Sequence, residues 1–144
     1  MNSQHRPRRA LHFGGAAPAT FMGVARHVVV ADSDEAARKI ARRAYPRWRN
    51  NFRWLFARHG AEPRIAALYP PTFDELTAID NGVAGSPRTV RDFVAAEIEA
   101  TGSNYFVSWL AFGDMTLAES LRSLALFSRE VMPAFAPARA DAAQ

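Results

Sequence analysis

Residues 24–31, VARHVVVA, constrain the fold more than any other stretch of the chain. Three consecutive valines in a short run bounded by Gly23 and Asp32 describe a strand buried on both faces, as strands of a parallel sheet are. A second run of the same kind, YFVSWLAF, occupies 105–112. Elsewhere the apolar residues recur at helical spacing. Parallel strands cannot be joined by a tight hairpin and need long crossovers, so the order strand, helices, strand, helix predicts an α/β fold, rich in helix. Two strands alone do not make a parallel sheet covered on both faces. The sequence therefore predicts an incomplete architecture.

The crossovers carry their own punctuation. Asp32 and Glu35 have the spacing of a capping box, ahead of a helix with Ala36, Ala37, Ile40, Ala41 and Ala44 on one face. Arg38, Lys39, Arg42 and Arg43 fall on the other face. Pro46 lacks the N–H a helix needs and predicts a break or kink, with Pro46 opening a fresh helix that Gly60 closes. Its apolar face would be Tyr45, Trp48, Phe52, Leu55 and Phe56. Residues 61–71 read as loop, Thr72 and Glu75 cap a short helix, and Asn81-Gly82 turns the chain. Ser86-Pro87 is the sharpest local signal: serine caps, and proline at the first helical position gives up only an N–H that had no partner. Val90, Phe93, Val94 and Ile98 make that helix's stripe, ended by Thr101-Gly102. Thr116 with Glu119 caps a last helix bearing Leu117, Leu121, Leu124, Phe127 and Val131, which Met132-Pro133 ends. Residues 1–21 show no period and read as an irregular arm, and 134–144 as a flexible tail.

Composition narrows the chemistry. The chain has 144 residues, 49% of them hydrophobic, enough for one domain with a core. There is no cysteine, which excludes disulfides, thiolate metal sites and a cysteine nucleophile. His5, His12, His27 and His59 have no metal-ligand spacing, so no metal site is expected. His27, within an apolar strand, fits a core or rim histidine better than a general base. No Gly-rich nucleotide fingerprint and no serine nucleophile elbow is present. No stretch approaches the ~20 apolar residues of a membrane span, and no secretory signal opens the chain, so the expected compartment is the cytoplasm.

The charge is divided. Residues 1–60 hold 12 Lys/Arg against 3 Asp/Glu, whereas 61–144 hold 6 against 11. The interleaved arginines and aromatics of 38–58 could grip nucleic acid, and such a binder would lose affinity steeply with salt. The aromatics nevertheless fall on one helical face, the pattern of a packing stripe. On that reading the arginines are solvated or meet acidic residues of a partner.

Taken in order, GSPRTVRDFVAAEIEATGSNYFVSWLAFGDMTLAESLRSLALFSREVMPAF places a Gly-Ser-Pro cap, a strand ending in Phe-Gly-Asp and a helix ending in Glu-Val-Met-Pro. This arrangement resembles the closing segment of luciferase-like flavin-dependent monooxygenases. Upstream, RHVVVADSDEAARKIARRAYPRW is similar to the penultimate strand of that family and the helices after it. The resemblance spans about residues 22–133. It implies an incomplete (β/α)8 TIM-type barrel made of the last two β/α units, with 24–31 as the seventh strand and 105–112 as the eighth. Residues 32–85 would be a helical insertion above the barrel mouth. In the family, reduced flavin (FMN, or deazaflavin in some members) supports oxygenation of a small organic substrate by O2.

A whole barrel needs eight strands and ~250 residues. The first six strands, which supply most flavin contacts in the family, have no counterpart here, so the resemblance implies no activity for this chain by itself. It places Gly85, Ser86, Gly113 and Asp114 on the flavin or substrate side, and it assigns no catalytic residue. Read from the residues alone, Gly85-Ser86 is a helix cap and Gly113-Asp114 a turn before a capped helix. A non-catalytic module that self-associates or pairs with another chain stays open as the alternative, because a short sheet exposes its edges.

Overall fold

The computed structural model describes residues 22–136. The arm at 1–21 and the tail from 137 onward lie outside the described residues. In chain order the elements are β1 (Gly23–Val30), α1 (Asp34–Ala57), α2 (Phe73–Ala78), β2 (Gly82–Gly85), α3 (Pro87–Thr101), β3 (Tyr105–Trp109) and α4 (Leu117–Leu126). A 3-10 turn at Ala66–Leu68 interrupts the expected loop, and α4 runs on as a π-helical turn, Phe127–Val131, and a 3-10 turn, Met132–Phe135.

Among the described residues the sheet has three strands, not two, all parallel and in the order β2-β1-β3. The extra strand lies inside the segment read as a helical insertion. With only Val83 and Ala84 between two glycines, β2 is too short to show a period, yet all four of its residues are buried. β1 is long enough to serve two neighbours in turn. Gly23–His27 pair with Tyr105–Trp109 on one side, and His27–Val30 pair with Gly82–Gly85 on the other. β3 stops at Trp109 rather than at 112, and α4 supplies the missing ladder partner. The Val30 N–H, which faces the β3 side, donates to Ser123 Oγ at 2.8 Å, and Ser123 is fully buried.

Side chains alternate across β1, so each face carries its own core. Val29 and Ala31 pack with Ala37, Ala41, Ala44, Tyr45, Phe73 and Leu76 of α1 and α2. Val28 and Val30 pack with Val90, Val94, Leu126, Phe127 and Val131 beneath α3 and α4. Helices thus cover both faces of a small parallel sheet. A closed barrel keeps its helices outside and its consecutive strands adjacent, whereas here β1, not β2, is central.

α1 runs unbroken through Pro46. The proline withholds one N–H from the ladder, but the fully buried Ala44 and Tyr45 just before it, and Trp48 just after, anchor the helix to the core on both sides of the defect. The cap of α1 is Ser33, whose side chain accepts the Ala36 N–H at 3.2 Å; Asp32 instead pairs with Arg122. Leu55, expected on the packed face, is exposed. The boxes at Thr72/Glu75 and Thr116/Glu119 form in full, Ser86 caps α3 ahead of Pro87, and Gly102 at φ +67° closes it.

The stripe expected on the last helix divides. Phe127 and Val131 are buried together with Ser123 and Leu126, while Leu117, Leu121 and Leu124 face solvent. The bond from Val30 to Ser123 sets the rotation of α4 that separates them. Pro133 does not end the chain's helical course, because it sits in the first turn of the 3-10 segment, where its missing N–H is not required.

Replacing Ser123 by alanine leaves the Val30 N–H buried without an acceptor. The expected loss is about 1–3 kcal/mol, read as a lower urea midpoint with an unchanged slope.

Candidate functional site

In parallel α/β sheets, ligands are held outside the carboxyl ends of the strands. Three loops meet there: 31–33 after β1, Gly85-Ser86 after β2 and 110–116 after β3.

Gly85 and Ser86 open α3, and their donors are already engaged. The Ser86 N–H donates to Asp34 Oδ1 at 2.7 Å, and the Thr89 hydroxyl donates to the same oxygen at 2.7 Å. The Ser86 N–H and then the Thr89 hydroxyl hold the Asp34 carboxyl below its usual range. An anion at a helix start is favourable, and the chain supplies that anion itself. Gly85 makes the arrangement possible: a Cβ there would lie 2.6 Å from Thr89 Cγ2 and 2.9 Å from Asp34 Oδ1.

Gly113 and Asp114 fasten the loop after β3 to the middle of α1. Gly113 has φ +62°, and a Cβ on it would fall 1.8 Å from the Ala44 carbonyl oxygen, so only glycine lets the two backbones approach. Beside it, Arg43 donates to Asp114 at 3.1 Å and to both oxygens of Glu119 at 3.1 and 2.7 Å. The Arg43 guanidinium, then the Thr116 N–H, brings the Glu119 carboxyl down to about 2, and the two carboxylates push the Arg43 guanidinium up. All four residues expected at a site therefore contact α1, but at its first turn and at Arg43-Ala44. At 1.5 Å per residue these places are roughly 15 Å apart along the helix, and the four form two pairs rather than one constellation.

Farther along α1, at Tyr45 and Trp48, lies a cluster that sequence reasoning undervalued. His27, 1% exposed, is surrounded by rings: Trp48 at 4.2 Å, Trp109 at 4.6 Å, Phe112 at 4.9 Å, Tyr45 at 5.6 Å and Tyr69 at 6.0 Å between centroids, all edge-on. Its Nε2 has no hydrogen-bond partner among the described residues. Burial in this apolar box brings the imidazole down to about 4, so it is neutral at physiological pH. The alternation of His27 with Val28 and Val29 was the available signal for its inward direction; the rings from α1, from Tyr69 and from residues 109–112 were not legible locally.

Phe112, 7% exposed, packs in the core with Val29, Tyr45 and Phe73, and Gly113 brings its loop against α1. Within this chain the Ser86 N–H and the Asp114 carboxylate are thus already engaged, by Asp34 and Arg43, while Gly113 and Asp114 are themselves exposed. An apolar groove of about 960 Å3 does exist, bounded by Val94, Ile98, Phe106, Phe127, Met132 and Phe135. It opens at the amino end of β3, on the α3 face, and includes none of the four.

Several arginines of the basic half pair with acids of the same chain. Arg26 pairs with Glu97 and Arg38 with Asp34, Arg42 pairs with Asp74 at 2.9 Å, and Arg53 with Glu62 at 2.6 Å. Arg49 donates to the Tyr69 carbonyl at 2.8 Å. Among the described residues no cluster of three or more His, Asp or Glu side chains is placed to hold a metal, and no helix is long and apolar enough to cross a membrane.

No family model matches the chain. An uncharacterized protein, y4wF, of Sinorhizobium fredii (strain NBRC 101917 / NGR234) is 34% identical over 114 residues, covering 79% of this chain but 33% of the relative. The chain thus spans about a third of the length of the curated relative it matches. Among solved structures, the monooxygenase RslO1 from Streptomyces bottropensis superposes with a TM-score of 0.53 at 19% identity, over 79% of this chain and 31% of that one. Apo-MsnO8 gives 0.47 at 23% identity, over 87% and 38%. The superposition on RslO1 shows a shared fold: the chain has the α/β arrangement of part of a monooxygenase.

The neutral state of His27 has a consequence for stability. The unfolded chain binds a proton at the ordinary 6.5 and the folded chain only near 4, so stability is full above 6.5 and falls as pH drops through that interval. The difference corresponds to on the order of 3 kcal/mol. Urea midpoints are expected to decline from pH 6.5 to about 5, before most carboxylates titrate, and His27→Phe is expected to flatten that decline.

Proposed function

We propose that this chain is the C-terminal part of a luciferase-like, flavin-dependent monooxygenase. On this reading the three strands, each followed by helix, are the last three β/α units of a (β/α)8 barrel, one more than the sequence alone indicated. The observation that supports it best is the succession of three parallel β/α units superposing on part of a monooxygenase. The Gly85-Ser86-Pro87 cap and the Gly113 turn fall at two carboxyl ends of those strands. In a full barrel β2 lies between β1 and β3. Completing the barrel therefore requires β3 to give up its pairing with β1.

The flavin, FMN or deazaflavin, would supply the redox chemistry that activates O2 toward a small organic substrate. No step is assigned to residues of this chain. Gly85, Ser86, Gly113 and Asp114 would face flavin or substrate only after Asp34 and Arg43 release their present partners, and the strands that precede β1 in a barrel would supply the remainder of the site. An Arg-rich nucleic-acid binder is not favoured, since Arg26, Arg38, Arg42, Arg43 and Arg53 are engaged by acids of the same chain.

A fusion tests the reading without relying on assembly in trans: this chain replaces the matched stretch of the Sinorhizobium fredii relative. Flavin fluorescence is expected to report saturable FMN binding by the fusion, with a Kd on the order of micromolar, and none by the isolated chain. A folded fusion that binds neither FMN nor deazaflavin would sink the flavin reading. Saturable binding by the isolated chain would show that the site is complete within it.

A further inference from the structure

We infer that the apolar groove at the amino end of β3 is the docking site of this chain's own N-terminal segment, residues 10–21. The inference goes beyond the reading just proposed and does not depend on it. It concerns the chain as it stands, with β1 paired to β3. The groove, about 960 Å3, is lined by Val94 and Ile98 of α3, Phe106 of β3, and Met132 and Phe135 beyond α4. Met132 and Phe135 are 53% and 37% exposed, and Tyr105, in the same lining, is 57% exposed. Protein interiors leave few voids larger than a water molecule. A contiguous apolar surface at the edge of a core marks a place where something binds.

The path of the chain identifies the occupant. Met22, which leads into β1, donates its N–H to Asn104 Oδ1 at 2.9 Å, and its carbonyl accepts the Asn104 and Tyr105 N–H groups at 2.9 and 3.2 Å. Asn104 and Tyr105 both line the groove, so the segment before Met22 starts from the groove's own wall. Its composition fits. Residues 10–21, ALHFGGAAPATF, hold no Asp, Glu, Lys or Arg and carry Leu11, Phe13 and Phe21. At ~3.3 Å per residue the segment is long enough to bring Leu11 and Phe13 back over a groove that begins at its anchor. The chain also leaves the described residues at Ala136, another lining residue, but 137–144, PARADAAQ, offer no apolar side chain larger than proline. Charge agrees with this choice. Arg6, Arg8 and Arg9 precede the uncharged stretch. The exposed Glu99 and Glu130, close in sequence to the lining Ile98 and Met132, make no ion pair among the described residues. α3 has no basic residue in its last turn, so the negative end of its dipole lacks a cation of its own. Tethering favours this segment over a second copy, since an attached segment meets its site at an effective concentration on the order of millimolar.

The test is nuclear magnetic resonance on the full chain, which has no cysteine of its own. A nitroxide is attached through Ala136→Cys, in the groove lining, or through Leu55→Cys, an exposed position on α1. The label at 136 is expected to broaden the amides of residues 11–17 strongly, and the label at 55 to leave them sharp. Leu11→Ser/Phe13→Ser/Phe21→Ser is expected to keep the circular dichroism of the parent and to lose most of that broadening. The same variant is expected to raise the fluorescence of an added anilinonaphthalene sulfonate several-fold, because the groove is uncovered. Equal broadening from the two labels, or broadening that the triple variant retains, would overturn the proposal. So would a parent chain that binds the dye as strongly as the variant does. Broadening of 11–17 when labelled and isotope-enriched copies are mixed would also overturn it, by placing a second copy in the groove.

Discussion

Everything in this structure is placed relative to the pairing of β1. Its valines at 28–30 are almost wholly buried, and its two faces belong to two separate cores. Its backbone is shared out in sequence, the first half to β3 and the second to β2, and past the end of β3 a single hydroxyl on α4 takes over. A parallel strand with unpaired N–H groups between two apolar layers would be costly, since buried amides without partners lose more than hydrogen bonding ordinarily contributes. The short β2 and the rotation of α4 are both answers to that demand. The second answer has a visible consequence: the helix that turns Ser123 inward turns three leucines outward.

α1 acts on its face of the sheet as the chain's own ligand. Its first acidic residue sits at the start of α3, its middle carbonyl receives Gly113, and its arginines satisfy the carboxylates of later segments. The groups that a resemblance to flavin enzymes would direct at a cofactor are thereby turned on one another. A strong internal electrostatic lock and an available anion site are mutually exclusive for the same donors, so anion binding by those donors requires them to release their present partners. The uneven charge along the sequence has the same origin. Arg26, Arg42, Arg43 and Arg53 of the basic half pair with acids of the second.

Much of the candidate site was legible in one sense and opaque in another. Ser86-Pro87, Thr72/Glu75 and Thr116/Glu119 are read from spacing because a capping bond spans only three residues. That Gly85 and Gly113 are glycines for reasons of close approach could be suspected, but the groups approached, Thr89 with Asp34 and the Ala44 carbonyl, are contacts that no local pattern encodes. His27 shows the same limit. Its place in an apolar strand forecasts burial, whereas its partnerless Nε2 and its ring of aromatic neighbours depend on α1, β3 and the segment around Tyr69 meeting above it.

The sequence by itself determined the local chemistry: where helices start, which strand runs through the interior, and that the strands are parallel. Those properties depend on residues a turn or less apart, or on the length of a crossover, and they survive removal from context. The tertiary structure alone decided that a four-residue run would become a strand, that β1 would be central, that α1 would pass through Pro46, and which half of the α4 stripe would be buried. Each is a competition between distant groups for the same surface or the same hydrogen bond. Its outcome depends on what else the chain brings to that place, which no window of sequence contains.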